Sequence, residues 1–304
     1  MGMQLRHIRY LLAVAEHGNF TRAAEALHVS QPTLSQQIIQ LEETLGVPLL
    51  DRSGRTVRVT DAGSVYIEHA RRALRELAAA RRAIHDVQDL QRGELRLATT
   101  PTFTAYLVGP LVTAFHTQYP EIVIRLKEMS LDTIAAAVAA DEVDLGIAFH
   151  VSPPADNIEC ETVLVERLSV VVGRGHRFAA LGEAVTPQML SVERLGVLSP
   201  DFATRAHVDE YLRSQAISPS IAIEANTISA LLEVVRRSHV ITILPEAIGE
   251  QHPDLCNIAI FPAPSPRTAA PLRRRDAYQS VAALAFAKLC RTVCGSRIDV
   301  APTP

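Results

Sequence analysis

Between Thr60 and about Leu90 the chain carries no proline and, after Gly63, no glycine; Tyr66, Ala70, Ala73, Leu77, Ala80, Ile84 and Val87 recur there at alternating steps of four and three. That is an apolar helical seam sustained over several turns. A helix of roughly 30 residues is about 45 Å long, more than a small domain can cover, so its stripe needs a partner. The same helix in a second subunit is the simplest one; a surface helix packed on its own chain is the alternative. With Thr60 as N-cap and Arg92–Gly93 as its end, this linker helix, 61–92, divides the 304 residues into a short segment, 1–60, and a long one, 93–304.

In the short segment, Leu5 to Glu16 carries Ile8, Leu11, Leu12 and Ala15 at helical spacing, and Gly18 stops it. Thr21 to Leu27 makes a second helix, His28 and Val29 a tight turn, and Ser30 caps a third helix through Leu45, with Pro32 in its first turn and Gly46 beyond its end. Ala24, Leu27, Val29, Leu34, Ile38 and Leu41 hold the pair together as a helix-turn-helix, leaving the polar face of the third helix outward. Val47 to Val59, with Gly54 between Arg52 and Arg55 and with Val57 and Val59 flanking Arg58, reads as a small hairpin, a wing.

A third helix that enters the major groove needs side chains near its N-terminus that reach base edges or phosphates, and Gln31, Thr33, Ser35 and Gln36 supply them. Arg22, Arg52, Arg55 and Arg58 are placed to clamp the flanking backbone. The net charge of −3 excludes a protein that coats nucleic acid by bulk electrostatics, but a sequence reader needs only a local basic rim.

Beyond Gly93, short apolar runs alternate with helical stretches: strands at Glu94–Thr99, Ile122–Lys127, Val143–Phe149, Leu168–Val172, Leu195–Leu198, Ile221–Glu224 and Val240–Leu244, helices at Tyr106–Gln118, Leu131–Ala139, Thr204–Gln215 and Ser229–Arg237. Alternation of this kind predicts a doubly wound α/β domain with a largely parallel sheet, long enough for two subdomains around a cleft. The hydroxyl-rich run Thr99 to Thr104 leads into a helix near Tyr106 and can cap it or cradle an anion. Ser130 follows the second strand, and Ser199, Phe202 and Thr204 follow a later one, at strand ends where open α/β sheets take their ligands. Pro262 to Pro271 is too rich in proline to place.

Other chemistry finds little support. Cys160, Cys256, Cys290 and Cys294 are scattered and read as free thiols, the histidines show no paired ligand spacing, and no metal or cofactor is expected. There is no G-x-S-x-G, P-loop or G-x-G-x-x-G, so an enzyme is not expected; Asp141, Glu142 and Asp144 read as a solvated acidic corner. No stretch approaches the roughly 18 apolar residues of a membrane span and no export signal is visible, which predicts a cytoplasmic protein without membrane contact and disfavours a solute-binding transport protein.

The run AEHGNFTRAAEALHVSQPTLSQQIIQLEETLGVPLLDR, Ala15 to Arg52, resembles the N-terminal signature of the LysR-type transcriptional regulators, and the order of the later segments is similar too. Ile39, where many members carry a base, and Leu50, in place of a common Phe, depart from that pattern. The resemblance implies an N-terminal all-α winged helix-turn-helix with a long linker helix and a C-terminal two-subdomain α/β domain like the periplasmic binding proteins, subdomain I at about 93–165 and 267–304 and subdomain II at about 166–266. It places Gln31, Pro32, Thr33, Ser35 and Gln36 in the groove of double-stranded DNA, with Arg52 anchoring the wing, and Thr100, Thr102, Ser130, Phe202 and Thr204 around a small-molecule effector. It further implies a homodimer or homotetramer on an inverted repeat, contact with RNA polymerase and action as an activator. TPTFT at 100–104, RAIHDVQDL at 82–90, EMS at 128–130, GIAF at 146–149, FATR at 202–205 and IEAN at 223–226 are similar to cyanate-responsive members, which implies cyanate as the effector, held by threonine hydroxyls and helix N–H groups without a buried arginine.

Overall fold

A computed structural model describes residues 4–54, 56–86, 93–149, 157–275 and 278–295. The chain forms two compact units, Met1–Arg81 and Arg82–Pro304.

The first unit opens with α1 (Leu5–His17), α2 (Phe20–Ala26) and α3 (Gln31–Leu45). Their ends follow from local chemistry. Gly18 and Gly46 leave α1 and α3 with φ of +60° and +72°, a region that a Cβ disfavours. Asn19 Oδ1 accepts the Thr21 and Arg22 N–H groups at 2.8 and 3.1 Å to cap α2, and Ser30 Oγ accepts the Thr33 N–H at 3.3 Å to cap α3. Leu11, Val14, Ala23, Ala24, Leu34, Ile38 and Leu41 form the core between the three helices. The wing is a two-stranded antiparallel hairpin, β1 (Leu50–Asp51) with β2 (Arg58–Val59). The long helix α4 (Asp61–Asp86) follows, its first turn capped by Thr60 Oγ, which accepts the Gly63 N–H at 2.9 Å. Gly63 passes so close to the wing that a Cβ there would lie 2.1 Å from the Leu49 carbonyl oxygen. Ile67 joins the helical core, whereas Leu77 and Ile84 are 47% and 66% exposed. Val87 to Leu90, the expected end of the seam, lie outside the described residues.

The second unit begins β3 (Gly93–Thr99), α5 (Pro101–Phe103), a π-helical turn over Thr104–Val108, α6 (Gly109–Gln118), β4 (Ile122–Glu128), α7 (Leu131–Ala139), β5 (Leu145–Phe149), β6 (Ile158–Cys160) and β7 (Leu164–Glu166). It then crosses into β8 (Leu168–Gly173), α8 (Pro187–Ser191), β9 (Arg194–Leu198), α9 (Ala203–Ser214), β10 (Ser220–Ala225), α10 (Ile228–Arg237), β11 (Ile241–Pro245), α11 (Glu246–Glu250) and β12 (Leu255–Ile258). The chain returns through β13 (Arg267–Arg274) to α12 (Val281–Gly295). Two sheets result, one of order β4-β3-β5-β13-β6 with β7 beside β13, the other of order β10-β9-β11-β8-β12, so the unit is a pair of α/β subdomains joined by two crossings.

Neither sheet is largely parallel. β3 pairs parallel with β4 and β5, and β9 with β10 and β11, but β8, β12, β13, β6 and β7 all enter antiparallel. Parallel pairing reflects right-handed strand-helix-strand steps; the crossing strands come back without a helix between them and run the other way. β13 overlaps the stretch too rich in proline to place. Its Pro271 is tolerated because the flank facing β6 and β7 is unpaired at that point: β7 pairs with Arg267 to Ala269 and β6 with Leu272 to Arg274.

Two further expectations are corrected. The helix expected near Tyr106 starts at Pro101, so Thr102 and Thr104 lie within helical turns instead of ahead of them. The acidic corner is solvated only at Glu142: Arg96 on β3 donates from Nη2 to Asp144 Oδ1 at 2.6 Å and from Nη1 to the Asp141 carbonyl at 2.8 Å, and the Asp141 and Asp144 carboxylates are largely buried. A strand nearly fifty residues away supplies the countercharge, which local sequence does not announce.

Candidate functional site

The outward face of α3 begins at its capped end. Leu34, Ile38 and Leu41 point into the core, so Gln31, Pro32, Thr33 and Gln36 are left exposed and Ser35 half-buried. The Thr33 hydroxyl lies 2.6 Å from Ser30 Oγ, which orients it on the first turn. Gln37 does not belong to this face: its Oε1 lies 3.0 Å from His7 Nε2 and ties α3 to α1. Arg22, exposed on α2, and Arg58, exposed on the wing, flank α3 in sequence. Arg55 lies outside the described residues.

Arg52 has a different setting from a free clamp. Its Nη2 donates to Glu42 Oε2 at 2.7 Å and its guanidinium stands 5.2 Å from the Phe20 ring centre. Glu42 in turn accepts the Leu49 and Leu50 N–H groups on Oε1 at 2.8 and 3.0 Å. One carboxylate thus fastens the start of the wing to α3.

In the second unit a cavity of about 610 Å³ opens between the subdomains, with Pro101, Thr104, Glu128, Asp201, Phe202 and Asn226 among its walls. Thr227, Ser229, Glu233, Arg236 and His252 complete its polar lining. Glu233 is paired with Arg236 and Arg237, whose guanidinium groups hold its carboxyl below the usual carboxylate range. Of the residues expected around an effector, Phe202 is buried and lines the cavity. Ser130 is exposed, with its hydroxyl 3.0 Å from that of Thr133. Thr100, Thr102 and Thr204 are buried behind the wall instead of in it; among the described residues Thr100 Oγ1 has no hydrogen-bond partner, and neither does the buried hydroxyl of Thr104.

Behind that wall lies a charged network that sequence reasoning missed. Arg267, at the start of β13, stands directly across the ladder from Glu166 at the end of β7, and the two form an ion pair. Tyr106 donates its hydroxyl to Glu166 Oε2 at 2.8 Å. Arg267 also donates to Thr204 Oγ1 and to the Ala203 carbonyl, each at 3.1 Å, and its guanidinium lies 3.7 Å from the Phe149 ring centre. Thr204 Oγ1 is 3.1 Å from Thr102 Oγ1. Burial pushes the Glu166 carboxyl up, against the pull of Arg267 and Tyr106; burial and then the neighbouring Glu166 charge push the Tyr106 hydroxyl up. A partly buried arginine thus stands beside Thr204, where the sequence reading expected threonine hydroxyls alone. No local signal could have found Arg267, because its partner is about a hundred residues away and its strand is broken by proline.

A capped helix-turn-helix with a hairpin wing, in a chain whose larger unit closes two α/β subdomains on a cavity of mixed polar and apolar lining, is the architecture of a transcription regulator with a ligand-binding domain. Residues 5–64 match the bacterial regulatory helix-turn-helix proteins of the lysR family, and residues 88–295 match the LysR substrate binding domain. The chain belongs to the LysR family of DNA-binding transcription regulators, with an effector-binding domain. It is 30% identical over 246 residues to the nitrogen assimilation regulatory protein nac of Escherichia coli, covering 81% of this chain and 79% of that protein. It is 31% identical over 243 residues to a hydrogen peroxide-inducible genes activator of Dickeya chrysanthemi, covering 80% and 79%. Among solved structures, full-length CbnR in complex with its target DNA superposes with a TM-score of 0.65 at 26% identity, covering 95% of this chain and 99% of that one. A full-length OxyR variant from Pseudomonas aeruginosa shares the fold, with a TM-score of 0.73 at 23% identity over 99% and 100% of the two chains. Among the described residues, no helix is long and apolar enough to cross a membrane.

Proposed function

We propose that the chain controls transcription by reading an interrupted inverted repeat as a homodimer or homotetramer, with the effector in the inter-subdomain cavity setting the spacing of its DNA-binding units. The observation that carries this reading is the outward face Gln31, Pro32, Thr33, Ser35 and Gln36 on a helix capped and locked by Ser30 and Gln37. Glutamine pairs bidentately with adenine, and the hydroxyls of threonine and serine reach bases or phosphate oxygens. Arg22, Arg55 and Arg58 hold the DNA backbone, and Arg52 acts by holding the wing. The CbnR structure, solved on its target DNA, supports the same use of the same fold here. The exposed Leu77 and Ile84 on α4 support pairing through the long helix. Action as an activator, through contact with RNA polymerase, completes the proposal.

Cyanate is the narrower reading of the effector, but a triatomic anion needs on the order of 30–60 Å³, the space of one or two waters, against about 610 Å³ in the cavity. Glu128, Asp201 and Glu233 on the wall also oppose a lone small anion. A larger polar molecule fits better. Peroxide sensing through a thiolate is not favoured either: burial pushes the Cys160 and Cys290 thiols up, the opposite of what such chemistry needs.

Selection of bound sequences from a random DNA pool, followed by footprinting with the full chain, tests the reading. An inverted repeat is expected. Gln36→Ala should flatten discrimination at one position of each half-site by about 1–3 kcal/mol, whereas Arg22→Ala should weaken all sequences alike and reduce the salt slope by about one. Equal, sequence-independent losses from both would refute the division between reading and clamping.

A further inference from the structure

With Leu34, Ile38 and Leu41 of α3 pointing into the core, helical spacing puts Pro32, Gln36, Ile39 and Glu43 on the side that faces directly away, and all four are exposed. Ile39 differs from its surroundings. It is 40% exposed, with Ser35 and Gln36 one turn before it and Glu42 and Glu43 one turn after. Two nearby side chains are drawn elsewhere: Glu42 is turned to the Leu49 and Leu50 N–H groups and to Arg52, and Gln37 reaches to His7 and donates to Gln40 Oε1 at 3.4 Å. An aliphatic side chain is thus left open on a stripe that is otherwise suited to hydrogen bonding.

Nothing within the helix asks for isoleucine at this position. Helix propensity favours glutamine, lysine or arginine at an exposed site, and a side chain meant for a phosphate oxygen carries a donor. What the major groove offers an aliphatic group is the C5-methyl of thymine. Isoleucine suits that contact, because branching at Cβ confines χ1 largely to one rotamer in a helix and little freedom is lost on docking. For a helix lying along the groove, Ile39 stands about 4.5 Å beyond Gln36 along the axis. Base pairs repeat at about 3.4 Å, so a methyl group that meets Ile39 belongs to a pair one or two steps from the pair that meets Gln36.

We propose that Ile39 is a specificity-determining residue that selects a thymine, through its methyl group, beside the base pair read by Gln36. The proposal rests on α3 being the helix that reads DNA. Gln36 discriminates by hydrogen bonds and Ile39 by apolar contact, so the two roles separate chemically: deoxyuridine keeps every hydrogen-bonding group of thymidine and lacks only the methyl.

The test uses the full chain and the duplex selected from the random pool, with each thymidine of a half-site replaced singly by deoxyuridine and the dissociation constants compared. In the wild type, one replacement within about two base pairs of the position governed by Gln36 is expected to weaken binding about three- to fivefold, the worth of one methyl removed from water. Ile39→Ala should make that replacement silent, Ile39→Val should keep part of the ratio, and Thr33→Ala, which removes the other methyl-bearing side chain at this end of the helix, should keep all of it. A fold defect would lower affinity for both duplexes alike, so the ratio reports the contact and not the stability. A ratio that persists in Ile39→Ala, the absence of a methyl-sensitive thymidine near the Gln36 position, or a selected site with no thymidine there overturns the proposal. In each of those cases a Gln36→Ala variant that still flattens its own position leaves the reading of DNA by α3 standing; selection that yields no base preference, or none that responds to Gln36→Ala, overturns both.

Discussion

Removing the Glu42 carboxylate should cost the first unit far more than removing its salt bridge. Glu42 Oε1 accepts two backbone N–H groups, from Leu49 at 2.8 Å and Leu50 at 3.0 Å, and these residues are only 1% and 4% exposed. Stripping a buried donor of its acceptor costs about 1–3 kcal/mol, so Glu42→Ala should lose on the order of 2–6 kcal/mol from these two bonds. The ion pair with Arg52 is a third exposed on the arginine side and is worth about 1 kcal/mol at most. Glu42→Gln keeps an oxygen for both N–H groups and forfeits only that pair. Arg52→Ala forfeits the pair and the contact with Phe20, the latter worth about 0.5–1 kcal/mol. For a domain of this size about 1 kcal/mol moves the melting temperature by roughly 4–8 °C, so Glu42→Ala should fall by more than about 10 °C and Glu42→Gln by less than about 8 °C. Hydrogen exchange by mass spectrometry resolves the two units within the full chain and reports the Leu49 and Leu50 amides directly. Equal losses of protection in Glu42→Ala and Glu42→Gln would show that the backbone bonds carry nothing and that the fastening is electrostatic.

Gly63→Ala would set a Cβ 2.1 Å from the Leu49 carbonyl oxygen and 2.9 Å from Val59 Cγ1, so α4 must shift from the wing; a loss of about 1–3 kcal/mol or more is expected, and denaturation of the variant within 0.5 kcal/mol of wild type would contradict the close approach. Leu77→Asp with Ile84→Asp should dissociate the assembly, since each side chain contributes roughly 1.5–3 kcal/mol when buried and a two-fold interface loses each twice; light scattering that shows an unchanged oligomer would move the interface elsewhere. Burial holds His176 below the ordinary histidine value despite Glu193, and burial, then Arg267, does the same to His207. Both take up a proton less readily in the folded chain than in the unfolded one, which begins to do so as pH falls toward about 6.5. The stability they contribute is present above that pH and is lost on acidification, by up to about 1.4 kcal/mol per pH unit for each proton taken up by the unfolded chain alone. His176→Asn should flatten the fall in melting temperature between pH 7 and pH 5.5; an unchanged slope would place the linkage in other groups.

What could be read in advance divides by distance along the chain. Gly18, Ser30, Pro32, Gly46 and Thr60 act within four residues of themselves, and the helices of the first unit begin and end where those residues dictate. Strands β3, β4 and β5 were legible for a similar reason: β3 and β4 alternate apolar with charged residues, β5 is apolar throughout, helices separate them, and right-handed parallel pairing follows from that order. Strand β13 was not, because its identity as a strand lies in β5, β6 and β7, more than a hundred residues earlier in the chain, while its own sequence carries Pro271. The same division runs through the site. Thr100, Thr102 and Thr204 could be picked out as hydroxyls at strand ends, but the setting of Thr102 and Thr204 depends on Arg267, and that of Arg267 on Glu166 across the ladder and on Tyr106 beyond it. A hydroxyl has no fixed polarity of its own; it takes it from the partner that only donates. The setting of Thr204 is therefore a property of the crossing strands as much as of its own loop.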